Sequence, residues 1–361
     1  MKLIVHICLL VLLSLNAFSK IDSLWTKKPT IHFLGFVDAF YAYDFNSPNG
    51  NRQNFIYNYN RHNSFDINLA VLKMNLTHVK YRANLALEGG TFVIDNYASE
   101  PPAIQGIYEA NVGFSLNKKN TLWVDAGIFP SHIGFESAIA IDDWTLSRTL
   151  ISANSPFFLS GIKLSYQIKK KLDFVAIASN GWQIIKPKGK SVPSIGTQIN
   201  YHPNEKFSLN WSTMIGSEYA DISKKMRYFN DFYGQFKLSK KLSLLTGFDI
   251  GVEQTAKNSN TYNLWFGPAI LTKYSFNDVW SSTLRLEYYE DKNGVLINVV
   301  NPNGFNTYGI SSNIDFRPNK QLAIRMEGRW FGSKDNILES TNPSKKQNFT
   351  LLFSLAIKLE Q

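Results

Sequence analysis

From residue 30 onward the sequence alternates with a period of two, and the alternation recurs in segment after segment to the end of the chain. In QNFTLLFSLAIKLE, residues 347–360, Phe349, Leu351, Phe353, Leu355, Ile357 and Leu359 share one face. Asn348, Thr350, Ser354 and Lys358 share the other, with Leu352 and Ala356 as exceptions. Successive side chains of a strand point to opposite faces, so this pattern reads as a β-strand with one apolar and one polar side. In LAIRMEGRW, Leu322, Ile324, Met326 and Trp330 oppose Arg325, Glu327 and Arg329. In the first strand the odd positions from Ile31 to Phe45 are apolar or Gly, while Asp38 and Asp44 lie on the opposite face.

Sixteen such segments are read, at 31–45, 63–76, 80–91, 105–117, 121–130, 157–168, 171–181, 194–202, 206–217, 226–238, 241–253, 261–275, 279–290, 304–316, 320–332 and 347–360. Short connections such as 77–79 and 169–170 alternate with long ones such as 46–62, 92–104 and 131–156. Short turns at one end and long loops at the other predict an all-β fold, a transmembrane antiparallel up-and-down β-barrel of about sixteen strands. Closure follows from the solvent, because lipid offers no hydrogen bonds to an open strand edge. A soluble sandwich or propeller also alternates. Against it stand the charges on the polar face and the aromatic residues near strand ends on the apolar face, Tyr166, Trp211, Tyr262, Tyr274, Trp280, Tyr288 and Trp330. Such rings suit the two lipid–water boundaries.

The N-terminus MKLIVHICLLVLLSLNAFSK has a basic n-region at Lys2, an apolar run from Ile4 to Leu15 and a small-x-small step at Ala17-Phe18-Ser19. That run is too short to span a bilayer, so residues 1–19 are expected to be a Sec signal peptide and 20–361 a single barrel domain. Cys8, the one cysteine, falls within the leader, which leaves no thiol chemistry to the exported chain. The location implied is the outer membrane of a Gram-negative bacterium. The formal charge of +10 is spread over turn clusters such as Lys118-Lys119, Lys169-Lys170-Lys171 and Lys345-Lys346. It is gathered on no single face, which argues against a nucleic-acid partner.

Chemistry needs a nucleophile with a base, or a metal constellation. Beyond the leader stand His32, His62, His78, His132 and His202, with no G-x-S-x-G and no His-x-x-x-His. No catalytic residue, metal or cofactor is therefore assigned, and no enzymatic activity is expected. The polar strand faces supply candidates for the lining of a lumen: Arg82, Glu88, Glu109, Asp125, Lys163, Asp231, Lys237, Asp249, Arg285, Glu287, Arg325, Glu327 and Arg329. Acidic and basic residues nearly balance in this set, so no ion preference follows from it.

The run AGIFPSHIGFESAIAIDDWTLSRTLISANSPFFLSGIKLSY, residues 126–166, carries Gly127, Phe129, Ile133-Gly134-Phe135-Glu136, Ser147-Arg148-Thr149 and Pro156-Phe157-Phe158. In this it resembles the OmpL-like outer-membrane β-barrel porin family, of the Bacteroidota type. The strands GFVDAFYAYDFN and YEANVGFSL are also similar to that family. The resemblance implies a passive channel for small hydrophilic solutes or ions, set in outer-membrane lipid, inserted by the barrel assembly machinery and open to homo-oligomer formation. The chain departs from many such barrels in closing on Lys358-Leu359-Glu360-Gln361, not on an aromatic residue. In similar sixteen-stranded porins the third long loop folds inward, which here implies that 131–156 narrows the lumen, with an extracellular lid folded over the mouth as the alternative. Glu136, Asp142, Asp143 and Arg148 are then the constriction candidates, and Ile141, Trp144 and Arg148 recur at helical spacing within 137–151. A ligand-binding or adhesion barrel without an open pore is the alternative, since the long loops carry Asn, Tyr and Phe.

Overall fold

A computed structural model of the chain describes residues 23–187, 189–341 and 343–361. The leader assigned to residues 1–19 lies outside the described residues. Sixteen strands follow in order: β1 Thr30–Asp44, β2 Ser64–Thr77, β3 Tyr81–Gly89, β4 Ile107–Ser115, β5 Leu122–Pro130, β6 Phe158–Lys169, β7 Leu172–Ser179 and β8 Ser194–Asn204. The second half comprises β9 Phe207–Gly216, β10 Arg227–Lys237, β11 Leu242–Gln254, β12 Tyr262–Ser275, β13 Trp280–Asp291, β14 Phe305–Phe316, β15 Leu322–Ser333 and β16 Gln347–Glu360. Every boundary falls within two residues of the segment read from the alternation.

Each strand pairs antiparallel with its sequence neighbours, and β1 pairs with β16 from Leu34↔Glu360 to Asp44↔Thr350, closing the sheet into a barrel. All edges are thereby satisfied, as a lipid environment requires. Burial alternates with the pleat. In β13 the inward Thr283, Arg285, Glu287, Tyr289 and Asp291 are buried while Trp280, Leu284 and Leu286 are exposed on the outside. The outer face of β16 likewise presents Phe353, Leu355, Ile357 and Leu359. Placing a charge on that face opposes the solvent it meets. Leu286→Arg, near the middle of β13, is expected to destabilise the barrel by about 2–4 kcal/mol. Gel mobility before and after boiling would report it as a smaller folded fraction, with Leu286→Phe as the control.

The inward face is not uniformly polar. Phe129, Leu159, Ile177, Met214, Phe229, Trp265, Tyr289, Phe305 and Phe331 are buried, mostly near the long-loop ends of their strands. They join Phe55, Ile56, Ile133, Leu150, Ile151, Ile297 and Leu338 of the long loops in one apolar cluster. A second cluster packs Ile139 and Ile141 against Phe36, Leu69, Val71, Ala323 and Ala356.

Among the described residues, regular structure outside the sheet is short: α1 Thr91–Asn96, α2 Pro102–Gln105, α3 Leu150–Ala153 and three 3-10 turns. The helical spacing of Ile141, Trp144 and Arg148 is not realised as one helix. A 3-10 turn at Ala140–Asp142 ends on Asp143 in extended backbone, and α3 begins only at Leu150. The physical reason is that strand side chains take up the backbone groups a helix would have used. Arg325 donates to the Ala140 carbonyl at 2.7 Å and the Trp144 carbonyl at 3.1 Å, and Arg285 to the Ser147 carbonyl at 2.6 Å. These bonds hold the carbonyls towards β13 and β15, and the Ala140 carbonyl accepts in addition only the Asp143 N–H of the 3-10 turn at 3.1 Å.

Candidate functional site

The segment 131–156 leaves β5 at Pro130 and returns at Phe158, and its contacts run to strands far along the sheet. His132 is buried. Its Nε2 lies 2.9 Å from the Thr213 carbonyl, and its own carbonyl accepts from Ser212 and Gln198, each at 2.8 Å. The Gly134 N–H donates to Asp231 at 3.2 Å. Two strand glycines make room for Phe135 and Ile151. A Cβ on Gly247 would lie 2.6 Å from Phe135 and 2.9 Å from Ile151, and one on Gly267 would lie 2.7 Å from Ile151. No side chain other than hydrogen fits beneath those two residues.

The centre of the segment is held by charge. Glu327 accepts the Ser147 N–H at 2.6 Å and the Ser147 hydroxyl at 2.8 Å. Arg285 donates to Glu327 at 2.5 Å, while Arg329 donates to Glu287 at 2.6 Å and to the Ser147 hydroxyl at 3.0 Å. The second Glu287 oxygen accepts the Leu150 N–H at 2.7 Å, at the start of α3. Arg325 is paired with Asp315 at 2.9 Å. Arg285, Arg325, Glu327 and Arg329 are all at most 2% exposed and Glu287 is buried with them, so this is one dry network joining three strands to a loop backbone. Charges desolvated to this degree persist only when each is paired. Lys358 of β16 closes the far end on Asp142 at 2.9 Å.

The four constriction candidates divide. Asp142 is exposed, and Glu136 is half-buried with its carboxylate on the Thr149 N–H at 2.8 Å and hydroxyl at 2.7 Å. Asp143 and Arg148 are buried. Asp143 accepts the Ser137 N–H at 2.8 Å, and burial together with nearby Glu136 pushes its carboxyl well above the usual carboxylate range. The lumen candidates divide as well. Arg285, Glu287, Arg325, Glu327 and Arg329 belong to the buried network, and Asp231 and Asp249 are buried beside the loop near Gly134. On the opposite arc Arg82, Glu88 and Lys163 keep partial exposure. There Arg82 pairs with buried Asp125 at 2.6 Å and stacks on Trp123, Glu109 pairs with Lys73, and Lys163 lies 4.6 Å above the Phe129 ring. Gly247 and Gly267 are absent from the residues that the sequence singles out, and Ser147 is among them only through the Ser147-Arg148-Thr149 step of the family resemblance. A glycine interrupting the alternation of a strand is the signal for the first two. The pairing of Ser147 with Glu327 comes only with the fold.

Burial lowers the pKa of His132 from 6.5 to about 4. A base depressed in the folded state leaves its stabilisation intact above the unfolded value and loses it as pH falls. Acidification from pH 6.5 towards 4 should therefore loosen the start of the segment. His132→Gln is expected to flatten the pH dependence of unfolding in that window; an unchanged profile in the variant would exclude His132 as its source.

The fold places this chain in a class before its sequence does. It superposes on the anion-selective porin from Comamonas acidovorans with a TM-score of 0.63 at 10% identity, covering 92% of this chain and 100% of that one. The outer-membrane channel DcaP of Acinetobacter baumannii gives 0.58 at 12% identity, over 91% and 98% of the two chains. The trimer form of OmpT, an outer-membrane protein of Vibrio cholerae, gives 0.61 at 7% identity, over 92% and 100%. At such identities the likeness is one of fold: a sixteen-stranded porin barrel. Residues 30–359 match the family described as "Putative beta-barrel porin-2, OmpL-like", and the chain belongs to that family. Family and barrel together point to the outer membrane. A search of curated proteins finds no match.

Proposed function

We propose that this protein is a non-enzymatic outer-membrane porin through which small hydrophilic solutes or ions diffuse, and that the segment 131–156 lies within the lumen and narrows it. One observation carries the second half of this reading. The backbone of Ser147 is bonded to Glu327 and Arg285, whose side chains point inward from β15 and β13, on the far side of the sheet from β5 and β6. Irregular backbone at membrane depth is tolerated where protein or a water-filled cavity surrounds it. With 131–156 against β9–β16 and, through Ile139 and Ile141, against β1 and β2, the passage left to solutes runs along β3–β6, where Arg82 and Lys163 remain partly exposed. Export through a Sec leader, insertion by the barrel assembly machinery and a homo-oligomeric state complete the reading. The last has support from the trimeric form of one structural relative.

The purified barrel in a planar bilayer is expected to conduct in discrete steps. A sealed bilayer with correctly folded protein would overturn the diffusion reading. It would favour the second one, a ligand-binding or adhesion barrel without an open pore. That alternative has one observation behind it: the apolar cluster that joins Phe55, Ile133, Ile297 and Leu338 of four long loops to the inward faces of the strands.

A further inference from the structure

Two carboxylates on the inward face stand apart from the rest. Asp231 of β10 and Asp249 of β11 are register partners, 0% and 3% exposed, with their carboxyls within hydrogen-bonding reach of each other. Every other strand carboxylate buried to that degree has a basic partner or three donors. Glu109, Asp125, Glu253, Glu287, Asp315 and Glu327 each meet a lysine or an arginine. Asp38, Asp44 and Asp291 each accept from three donors. Among the described residues no basic side chain pairs with Asp231 or Asp249. The donors that reach Asp231, the Gly134 N–H at 3.2 Å and Asn210 Nδ2 at 3.1 Å, both fall on Oδ2. The Oδ1 atoms of Asp231 and Asp249 are buried without any hydrogen-bond partner.

Asn210 of β9 brings a third oxygen in the same condition. The residue is 4% exposed, and its Oδ1 also lacks a partner. Its Nδ2 donates to Asp231 and, at 2.8 Å, to Ser212 Oγ, so the amide lies against the carboxylate pair. Half a turn about its last torsion exchanges the two ends of the amide and brings Oδ1 to the place beside Asp231 that Nδ2 holds. Ser212 faces Asp231 across β9 and β10, and its hydrogen goes to the His132 carbonyl, so only lone pairs of its oxygen are left for this point. The cluster therefore offers four oxygens, two of them from carboxylates, and no positive charge. Two carboxylates this close in a dry wall do not both stay ionised unaided. Either a proton or a cation stands between them.

We propose that Asp231, Asp249 and Asn210 hold a calcium ion, with the Ser212 hydroxyl beside it. Charge and donor type select the ion. A divalent cation neutralises the pair, and an all-oxygen set suits a hard one. Calcium accepts irregular sets of carboxylate, amide and water oxygens, whereas magnesium demands a near-ideal octahedron and keeps several waters, for which a dry wall has no room. Among the described residues no three His, Cys, Asp or Glu converge on one point. Half of this site is neutral oxygen, so the spacing of histidines and cysteines in the sequence gives no sign of it. Its place in the fold supplies a role. Asp231 is also the acceptor for Gly134, near the start of the segment 131–156, so the ion ties the entry of that segment to β9, β10 and β11. The tie is independent of whether solutes pass.

Barrel refolded into detergent from inclusion bodies carries no lipopolysaccharide, which itself holds divalent cations. After treatment with a chelator and its removal, titration with calcium chloride is expected to load about one ion per chain at a dissociation constant of about 0.1–1 mM, the range of extracellular calcium sites. Loading should raise the midpoint of thermal unfolding. Asp249→Asn keeps the shape of the side chain and removes one charge. It should weaken calcium binding by about tenfold or more and leave unfolding insensitive to calcium. Asp278→Asn, in the exposed turn before β13, should bind as the parent does. A parent chain that takes up no calcium would overturn the site and leave a proton shared between the two carboxyls. Equal binding by Asp249→Asn would overturn it by moving the ion elsewhere. Should Asp249→Asn not fold, Asn210→Ala removes the amide oxygen and should weaken binding several-fold; unchanged affinity there would count against the proposal. Neither measurement needs an open pore, so this site and the diffusion reading fail separately.

Discussion

Replacing residues 136–148 by a short Gly-Ser linker raises the unit conductance several-fold in a planar bilayer. The expectation rests on the space those residues occupy. They carry the 3-10 turn at Ala140–Asp142, the apolar anchors Ile139, Ile141 and Leu146, and Ser147 at the centre of the buried network. Conductance of a water-filled barrel is set by its narrowest cross-section. Removing this stretch would uncover the β13–β15 charges to solvent and leave the wall of the barrel in place. Heat-modifiable gel mobility verifies that the sheet still closes. A folded variant with the parent's conductance would place the segment outside the path of the ions.

The second large effect concerns Glu327. Its carboxylate is the common acceptor for the Ser147 N–H, the Ser147 hydroxyl and Arg285. Glu327→Leu deletes all three bonds and leaves the fully buried Arg285 to share Glu287, 3.4 Å away, with Arg329, so that one positive charge is uncompensated. Breaking one side of a buried ion pair costs about 3–5 kcal/mol, largely the penalty of the partner left behind. Denaturant unfolding in detergent should register this as a lowered midpoint. Adding Arg285→Met to the same chain removes the stranded charge and is expected to recover much of the loss. If the single substitution leaves the midpoint unmoved, the network does not hold the fold.

The two expectations draw on very different amounts of sequence information. All sixteen strands are legible because lipid on one side and protein interior on the other force a period of two, visible in Phe349 to Leu359 without any neighbour. Reading the site is harder. Arg325, Glu327 and Arg329 announce an inward polar stripe, yet nothing in that stripe tells a hydrated charge from one pressed against a loop backbone. That distinction depends on Ser147, which is 180 residues from Glu327 in the chain. Helical spacing misleads at Ile141, Trp144 and Arg148 for the same reason, since the groups that prevent a helix there come from β13 and β15. The inward Phe229 sits between Arg227 and Asp231 and is legible only as an exception to the alternation, while Trp265 shares the inward face of β12 with Ala269 and Leu271.

The seam between β1 and β16 joins Leu34 to Glu360 and Asp44 to Thr350. No hairpin can anticipate that junction, because its halves are separated by nearly the whole chain and the loop entropy is spent before any contact rewards it. Until it zips, two strands present open hydrogen-bonding rims to a medium that cannot satisfy them. Completion is therefore all-or-nothing at its last step. A lesion in either terminal strand should act less as a local weakness than as an arrest of maturation, leaving an unsealed precursor for proteases to clear.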